Sequence, residues 1–156
     1  MMRIEIPGWG NMEAKNLILD MNGTIATDGK ISPEVKEKIN LLSQSLKIYV
    51  LTADTHGTAS KEVEGLTVEL IQVPDEDSKA AKGAFLSQIA PESTIAIGNG
   101  SNDQFLLREA ALGIAVLGDE GLSLAALQSA DVVVQDISQA LNLLLKPKRL
   151  TATLKE

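Results

Sequence analysis

Short apolar runs that end on a polar residue, separated by stretches of helical period, recur along this chain and leave it few folds. Asn16-Leu17-Ile18-Leu19-Asp20 is the first, a strand of apolar residues closed by an acid. Residues 47–51, 67–73 and 94–97 repeat the pattern, and residues 113–116 and 131–134 are shorter versions. Apolar strands alternating with helices belong in a parallel sheet covered by helices. The intervening segments have the matching period. Val35, Ile39 and Leu42 share one face after Ser32-Pro33, where Ser32 supplies a cap and Pro33 suits the first helical position. Ala81, Phe85 and Ile89 share another face within residues 78–90. Further helices are predicted over residues 55–64, 102–111, 122–129 and 137–145, the last stopping before Pro147. Residues 25–31 read as a tiny hairpin around the Asp28-Gly29 turn. The fold class is α/β with a parallel sheet.

With 156 residues, no internal repeat and no low-complexity linker, the chain is expected to form one domain over residues 1–156. Residues 1–14, including Trp9 and Met12, are expected as an N-terminal arm or edge strand. Residues 146–156 are expected as a C-terminal tail, whose Lys146, Lys148 and Arg149 form a solvated cluster or an oligomer contact. No apolar run is long enough to span a bilayer and no signal-like N-terminus is visible, so the expectation is a cytoplasmic protein without a membrane partner.

Composition narrows the chemistry. A net charge of −7 argues against nucleic-acid binding, and aromatics at 3% remove stacking platforms for single strands. The absence of cysteine excludes disulfides, thiolate metal sites and cysteine nucleophiles. One histidine, His56, cannot make a histidine-rich metal site, and it reads as a helix-start or surface residue. Carboxylates, amides, hydroxyls, lysines and backbone remain.

Three polar clusters fall at strand ends, where open parallel sheets bind ligands. In Asp20-Met21-Asn22-Gly23-Thr24 a carboxylate follows the strand directly. Asp20 is either a nucleophile or the cap of a strand-end turn. As a nucleophile toward phosphate it needs a cation beside it, since two unit charges at ~4 Å repel by about 4 kcal/mol at an effective dielectric near 20. Gly23 lets backbone N–H groups face phosphate oxygens, and Thr24 adds a hydroxyl. Leu51-Thr52-Ala53-Asp54 places the Thr52 hydroxyl at the next strand end. Gly98-Asn99-Gly100-Ser101-Asn102-Asp103 allows close backbone approach, with Asp103 holding a metal or capping the following helix. Lys82 can pin a phosphate or the nucleophile as a point charge, and Lys79, one turn earlier, competes for that role.

In this order the clusters resemble the four motifs of the haloacid dehalogenase-like superfamily: Asp20 to Thr24 the first, Thr52 the second, Lys82 the third, and Gly98 to Asp103 the fourth. The nearest flavour is the catalytic core of P-type ATPases, as in small soluble P-type ATPase-like phosphatases. The resemblance implies a three-layer αβα Rossmann-like fold with residues 25–31 as its flap. It also implies a Mg²⁺-dependent phosphatase that forms an aspartyl-phosphate on Asp20. Thr52 and Lys82 would hold phosphoryl oxygens, with Gly23, Thr24, Ala53 and Asn102 lining the substrate. Asp20, Asn22 (through its carbonyl), Asn99 and Asp103 would hold Mg²⁺. The substrate would be a small phosphorylated molecule or a phosphoprotein.

Two positions depart from the pattern. Asn22 stands where many phosphatases of the superfamily carry an acid/base aspartate, and such a loss costs a factor of ~10²–10⁴. Asn99 stands where the family has a metal-binding aspartate, and a neutral amide attracts Mg²⁺ less. These departures lead to an expectation of slow turnover. The alternative is a catalytically weakened phosphate- or partner-binding module, regulatory in role. Neither the flap nor the stretch between Thr52 and Lys82 has room for a cap domain. Water exclusion is therefore expected from the substrate or from neighbouring subunits, and a homo-oligomer is expected.

Overall fold

The computed structural model describes residues 1–54 and 57–156. His56 and the start of the helix expected from residue 55 lie outside the described residues. Six strands form one parallel sheet in the order β5-β4-β3-β6-β7-β8. They are β3 (Asn16–Asp20), β4 (Lys47–Thr52), β5 (Glu69–Gln72), β6 (Thr94–Gly98), β7 (Leu112–Val116) and β8 (Val132–Val134). The chain winds outward from β3 to β5, then returns to the other side of β3 and winds out to β8. The direction therefore reverses between β3 and β6, which is where a crevice opens at the carboxyl ends. Asp20 and Gly98 end those two strands.

Both faces of the sheet are covered. On one, Leu17, Leu19, Ile48, Val50, Ile95 and Ile97 pack with α1 (Pro33–Leu42) and α6 (Ile137–Leu145). On the other, Ile18, Tyr49, Leu51 and Ala96 pack with α3 (Ser78–Gln88), α4 (Gln104–Glu109) and α5 (Leu124–Ser129). The alternation of Leu17/Ile18/Leu19 between two cores is the period of two that a strand imposes. The arrangement is the expected three-layer α/β fold. Ser32 caps α1 by accepting from Val35 N at 3.3 Å, with Pro33 in its first turn. A short helix, α2 (Thr58–Glu62), follows β4.

Both chain ends differ from expectation. Residues 1–14 form a hairpin of their own, β1 (Met2–Ile6) with β2 (Gly10–Ala14), rather than an arm or an edge of the main sheet. Its inward residues Ile4, Ile6, Met12 and Ala14 are buried, while Arg3 and Glu13 pair on the outer face at 2.8 Å. Residues beyond 146 are not a tail: α7 (Pro147–Leu154) buries Leu150 completely and packs on β1. Pro147 ends one helix but sits at the first position of the next, where its missing N–H costs nothing. The helix expected over residues 102–111 begins instead as a single 3₁₀ turn, Ser101–Asp103, before α4. Among the described residues no helix is long and apolar enough to cross a membrane.

Candidate active site

Asp20 lies at the carboxyl end of a central strand, opposite Leu51 of β4, and Thr52 follows one residue beyond that register partner. The chain then turns sharply: Gly23 has φ +78° and its N–H donates to the Ala26 carbonyl at 2.9 Å. A Cβ at Gly23 would come within 2.6 Å of Asn99 Nδ2, so the position admits only glycine. The flap closes on Asp28 (φ 50°) and Gly29 (φ 78°), with Thr27 and Lys30 exchanging backbone hydrogen bonds at 2.9 and 3.0 Å. Two successive positive φ values make this the two-residue hairpin turn that Asp-Gly favours.

Lys82 reaches the site from α3. Its ammonium donates to Asp20 Oδ1 and Asp103 Oδ1, both at 2.8 Å, and to Asn102 Oδ1 at 3.3 Å. All three of its protons are thereby used. The structure brings Lys82, not Lys79, to Asp20. Lys79 donates to Gln104 Oε1 at 3.0 Å and lies over the Phe105 ring. Asp103 is fully buried, and its second oxygen accepts from the N–H groups of Asn99 and Gly100 at 3.0 Å each. Gly98 makes this close packing possible, since a Cβ there would lie 2.6 Å from Asp103 Cγ. Asn102 is in turn held by its Nδ2 donating to Ser78 Oγ at 3.1 Å.

Thr24 Oγ1 lies 3.0 Å from Asp20 Oδ2 and 2.9 Å from Asn99 Oδ1. It has one proton for two acceptors. Asn99 Nδ2 donates to the Gly121 carbonyl at 3.1 Å. Thr52 is buried, and its hydroxyl accepts from Asp54 N at 3.1 Å. Asp54 Oδ2 accepts from Thr58 Oγ1 at 2.7 Å and Ala59 N at 2.8 Å, which ties the start of α2 to the β4 end. An open cleft of ≈ 290 Å³ lies beside these groups, lined by Met21, Asn22, Ala53, Asp54, Thr58 and Asp75. Asn22 is exposed on it.

The charges do not balance. Two buried carboxylates, Asp20 at 7% and Asp103 at 0% exposure, face one ammonium, Lys82 at 2%. Burial first, and then the Asp103 charge, push the Asp20 carboxyl up to about 7, against the pull of Lys82 and Thr24. Burial also works against the Lys82 charge, but Asp20 and Asp103 together outweigh it and hold the ammonium above its ordinary value.

A divalent cation fits this surplus. Asp20 Oδ2 and Asn99 Oδ1 converge on a single hydroxyl, so both are within reach of one small cation, and hard oxygen donors suit Mg²⁺. Asp103, expected among the ligands, already has one oxygen on Lys82 and the other on two amides. Its position is behind the site, organising Lys82 and the loop. Among the described residues no group of three or more acidic, histidine or cysteine side chains gathers for a metal. The oxygens that do converge are one carboxylate oxygen, of Asp20, and one amide oxygen, of Asn99.

The structure thus brings Asp20, Thr24, Lys82, Asn99, Asn102 and Asp103 together, with Thr52 at the adjoining strand end and Gly23, Asn22 and Ala53 on the loops above. Sequence reasoning missed Ser78 and Gly121. Ser78 read only as a helix start, and a backbone carbonyl such as that of Gly121 carries no signature of its own.

No protein-family model matches the chain. The uncharacterized protein MJ0073 of Methanocaldococcus jannaschii is 49% identical over 79 residues, 48% of this chain and 85% of that protein. The soluble P-type ATPase-like phosphatase of the same organism is 28% identical over 123 residues, 77% of this chain and 45% of that protein. Among solved structures, 3-deoxy-D-manno-octulosonate 8-phosphate phosphatase from Moraxella catarrhalis, in complex with magnesium ion, phosphate ion and KDO, matches with a TM-score of 0.72 at 17% identity, over 91% of this chain and 94% of that one. A putative HAD superfamily (subfamily III A) hydrolase from Legionella pneumophila matches with a TM-score of 0.72 at 18% identity, over 90% of this chain and 88% of that one. At these identities the structural likeness establishes the fold, and the sequence relationship points the same way as the four ordered clusters. The chain therefore has the fold of the haloacid dehalogenase-like hydrolases, with no cap domain among the described residues.

Proposed function

We propose that the protein is a Mg²⁺-dependent phosphatase that works through an aspartyl-phosphate on Asp20. The observation that carries this reading is the placement of Asp20: a buried carboxylate at the topological switch point, held between Lys82 and Thr24 beside an open cleft. The magnesium and phosphate ions in the Moraxella phosphatase structure lend support from a neighbour of the same fold.

In this reading Asp20 attacks the phosphorus of a small phosphorylated substrate or phosphoprotein. A carboxylate–phosphorus bond forms as the bond to the leaving oxygen breaks, and the leaving alkoxide takes a proton. Asn22 cannot supply that proton, so it comes from water in the open cleft, and this is where the expected slowness resides. A second water then attacks the acyl-phosphate phosphorus, releasing phosphate and restoring Asp20. Lys82, its three protons on Asp20, Asp103 and Asn102, fixes the attacking carboxylate and acts on the phosphoryl group as a nearby positive charge, while the Thr52 hydroxyl faces phosphoryl oxygens. Asn102 lines the phosphoryl position, whereas the N–H groups of Gly23 and Thr24, expected there, are spent inside the turn on the carbonyls of Ala26 and Met21. Asp20, the Asn22 carbonyl and Asn99 would hold Mg²⁺, with Asp103 behind them. The ion, when bound, supplies charge neutralisation between carboxylate and phosphate.

Acid-quenched incubation with Mg²⁺ and acetyl phosphate, followed by mass analysis of the Asp20 peptide, tests the reading. The expected result is a phosphate adduct on Asp20 and phosphomonoester hydrolysis that Asp20→Asn abolishes. Hydrolysis undiminished in Asp20→Asn, with no adduct, refutes it. Asn22 and Asn99 favour a second reading, a phosphate-binding module with little turnover. Phosphate binding by the wild type, with hydrolysis appearing only after Asn22→Asp and Asn99→Asp together, would select that one.

A further inference from the structure

Asn99 raises a question that the proposed function leaves open: whether its amide is a decayed acid or a built part. Its surroundings bear on this at both ends. The oxygen faces Thr24 Oγ1 at 2.9 Å, on the side of Asp20. The nitrogen donates to the carbonyl of Gly121 at 3.1 Å. The Asn99 backbone is held as well, since its N–H donates to Asp103 Oδ2 at 3.0 Å and its carbonyl accepts from Ser123 N at 2.9 Å. Gly23 closes over the amide nitrogen so tightly that a Cβ there would approach it to 2.6 Å. The side chain is 9% exposed. A group with one donor end and one acceptor end is enclosed by an acceptor on one side and a hydroxyl on the other.

A carboxylate cannot satisfy this environment. Its two oxygens are both acceptors, so one would stand against the Gly121 carbonyl oxygen with neither water nor a proton between them. It would also place a third buried negative charge beside Asp20 and Asp103, against the single ammonium of Lys82.

We infer that Asn99 is a neutral positioning residue matched to the Gly121 carbonyl, which aims the amide oxygen at the cation position beside Asp20, and that an aspartate in its place damages the site instead of restoring it. The inference rests on the proposed function for the identity of the cation. The turn at Gly121 is then a working part of the site: it fixes which end of the amide faces Asp20. The neutral donor also leaves the buried charge at that of Asp20, Asp103 and Lys82, the balance that a divalent ion meets.

The test uses the whole protein and does not depend on turnover. In Asn99→Asp, with metal chelated at pH 8, the expected result is a thermal midpoint lower than wild type by about 4 °C or more. Hydrolysis at saturating Mg²⁺, where the wild type shows any, is expected to fall about tenfold or more. Because that variant can fail to fold, the wild type provides the second measurement. The Asn99 side-chain amide protons are expected to exchange slowly with solvent, and the Asn99 Cγ resonance is expected to move on Mg²⁺ titration. An Asn99→Asp protein as stable as wild type without metal and faster with Mg²⁺ overturns the inference. So does a freely exchanging Asn99 amide that ignores Mg²⁺. A protected, Mg²⁺-responsive amide in a protein that hydrolyses nothing upholds the inference and fails the phosphatase reading. Turnover through Asp20 with an indifferent Asn99 does the reverse.

Discussion

Consider Asp20→Asn in the metal-free protein. Asp20 is buried to 7% exposure, and burial together with the Asp103 charge pushes its carboxyl up to about 7. In the unfolded chain an aspartate ionises near 4. The folded state therefore holds a proton that the unfolded state has lost, over the window from about pH 4 to about pH 7. Stability from this group is fully present below that window and is lost as pH rises through it. Three pH units at ~1.4 kcal/mol each set a ceiling of about 4 kcal/mol. Asp20 shares Lys82 with Asp103, so an effect of about 2–4 kcal/mol is the working figure. An amide at this position keeps an oxygen for Lys82, offers an N–H to Thr24 and carries no charge. The variant should therefore be the more stable protein at pH 8, by about 6–12 °C in thermal midpoint for a chain of this size.

The assay is thermal unfolding of both proteins in chelator between pH 5 and pH 8. The gap between them is expected to widen as pH rises, and Mg²⁺ is expected to raise the wild-type midpoint while leaving the variant unmoved. Subtracting one protein from the other removes Glu34 and Glu62, whose carboxyls are held low by Lys38 and by the Ile31 N–H respectively and titrate in both. A gap that is flat with pH, or a variant less stable than wild type at pH 8, would refute the claim that Asp20 carries uncompensated buried charge.

Three further outcomes follow from the same coordinates. Lys82→Met strands Asp20 and Asp103 without their cation and should cost about 3–5 kcal/mol in urea unfolding at pH 8, whereas Lys79→Met should cost less than about 1 kcal/mol because its partner Gln104 is neutral. Asn22→Asp changes an exposed residue, so stability should stay within about 0.5 kcal/mol while phosphomonoester hydrolysis rises by up to ~10²-fold; an unchanged rate would mean that proton supply to the leaving group does not limit turnover. Leu150→Ala, far from the cleft in a residue fully buried on α7, should cost about 2–5 kcal/mol by denaturant melts, with the catalytic constants of the folded protein unaltered.

How much of this was legible in the sequence varies with how local the cause is. The strand ending on Asp20 and the Asp28-Gly29 turn announce themselves within a few residues, and the structure has both. The choice between Lys79 and Lys82 did not, because residues three apart lie on neighbouring parts of one helix face and only burial separates them. The N-terminal hairpin was readable in principle: Ile4 and Ile6 alternate with Arg3 and Glu5 before the turn at Pro7-Gly8. Alternation over so short a run does not by itself separate a hairpin from an arm or edge strand. Pro147 carries two meanings, the stop of one helix and the start of the next, and only Leu150 packing on the hairpin decides between them. The partners of Asn99 and Asn102 come from residues 22 and 24 positions away, a Gly121 carbonyl and a Ser78 hydroxyl, and no local pattern encodes them.

Water exclusion offers a sharper lesson. Asp20 is nearly buried within this single chain. Nearby, the flap and the turn after β7 are tied to each other and to Asn99. Asp28 N donates to Glu120 Oε2 at 3.2 Å, Gly118 lies against the Gly23 carbonyl, and Gly121 holds Asn99. Burial raises the Asp20 carboxyl, while the cleft on the Asn22 side stays open. The burial of Asp20 and the open cleft therefore belong to different parts of the fold. Cutting the Glu120 latch with Glu120→Ala should therefore loosen the flap without obstructing the cleft.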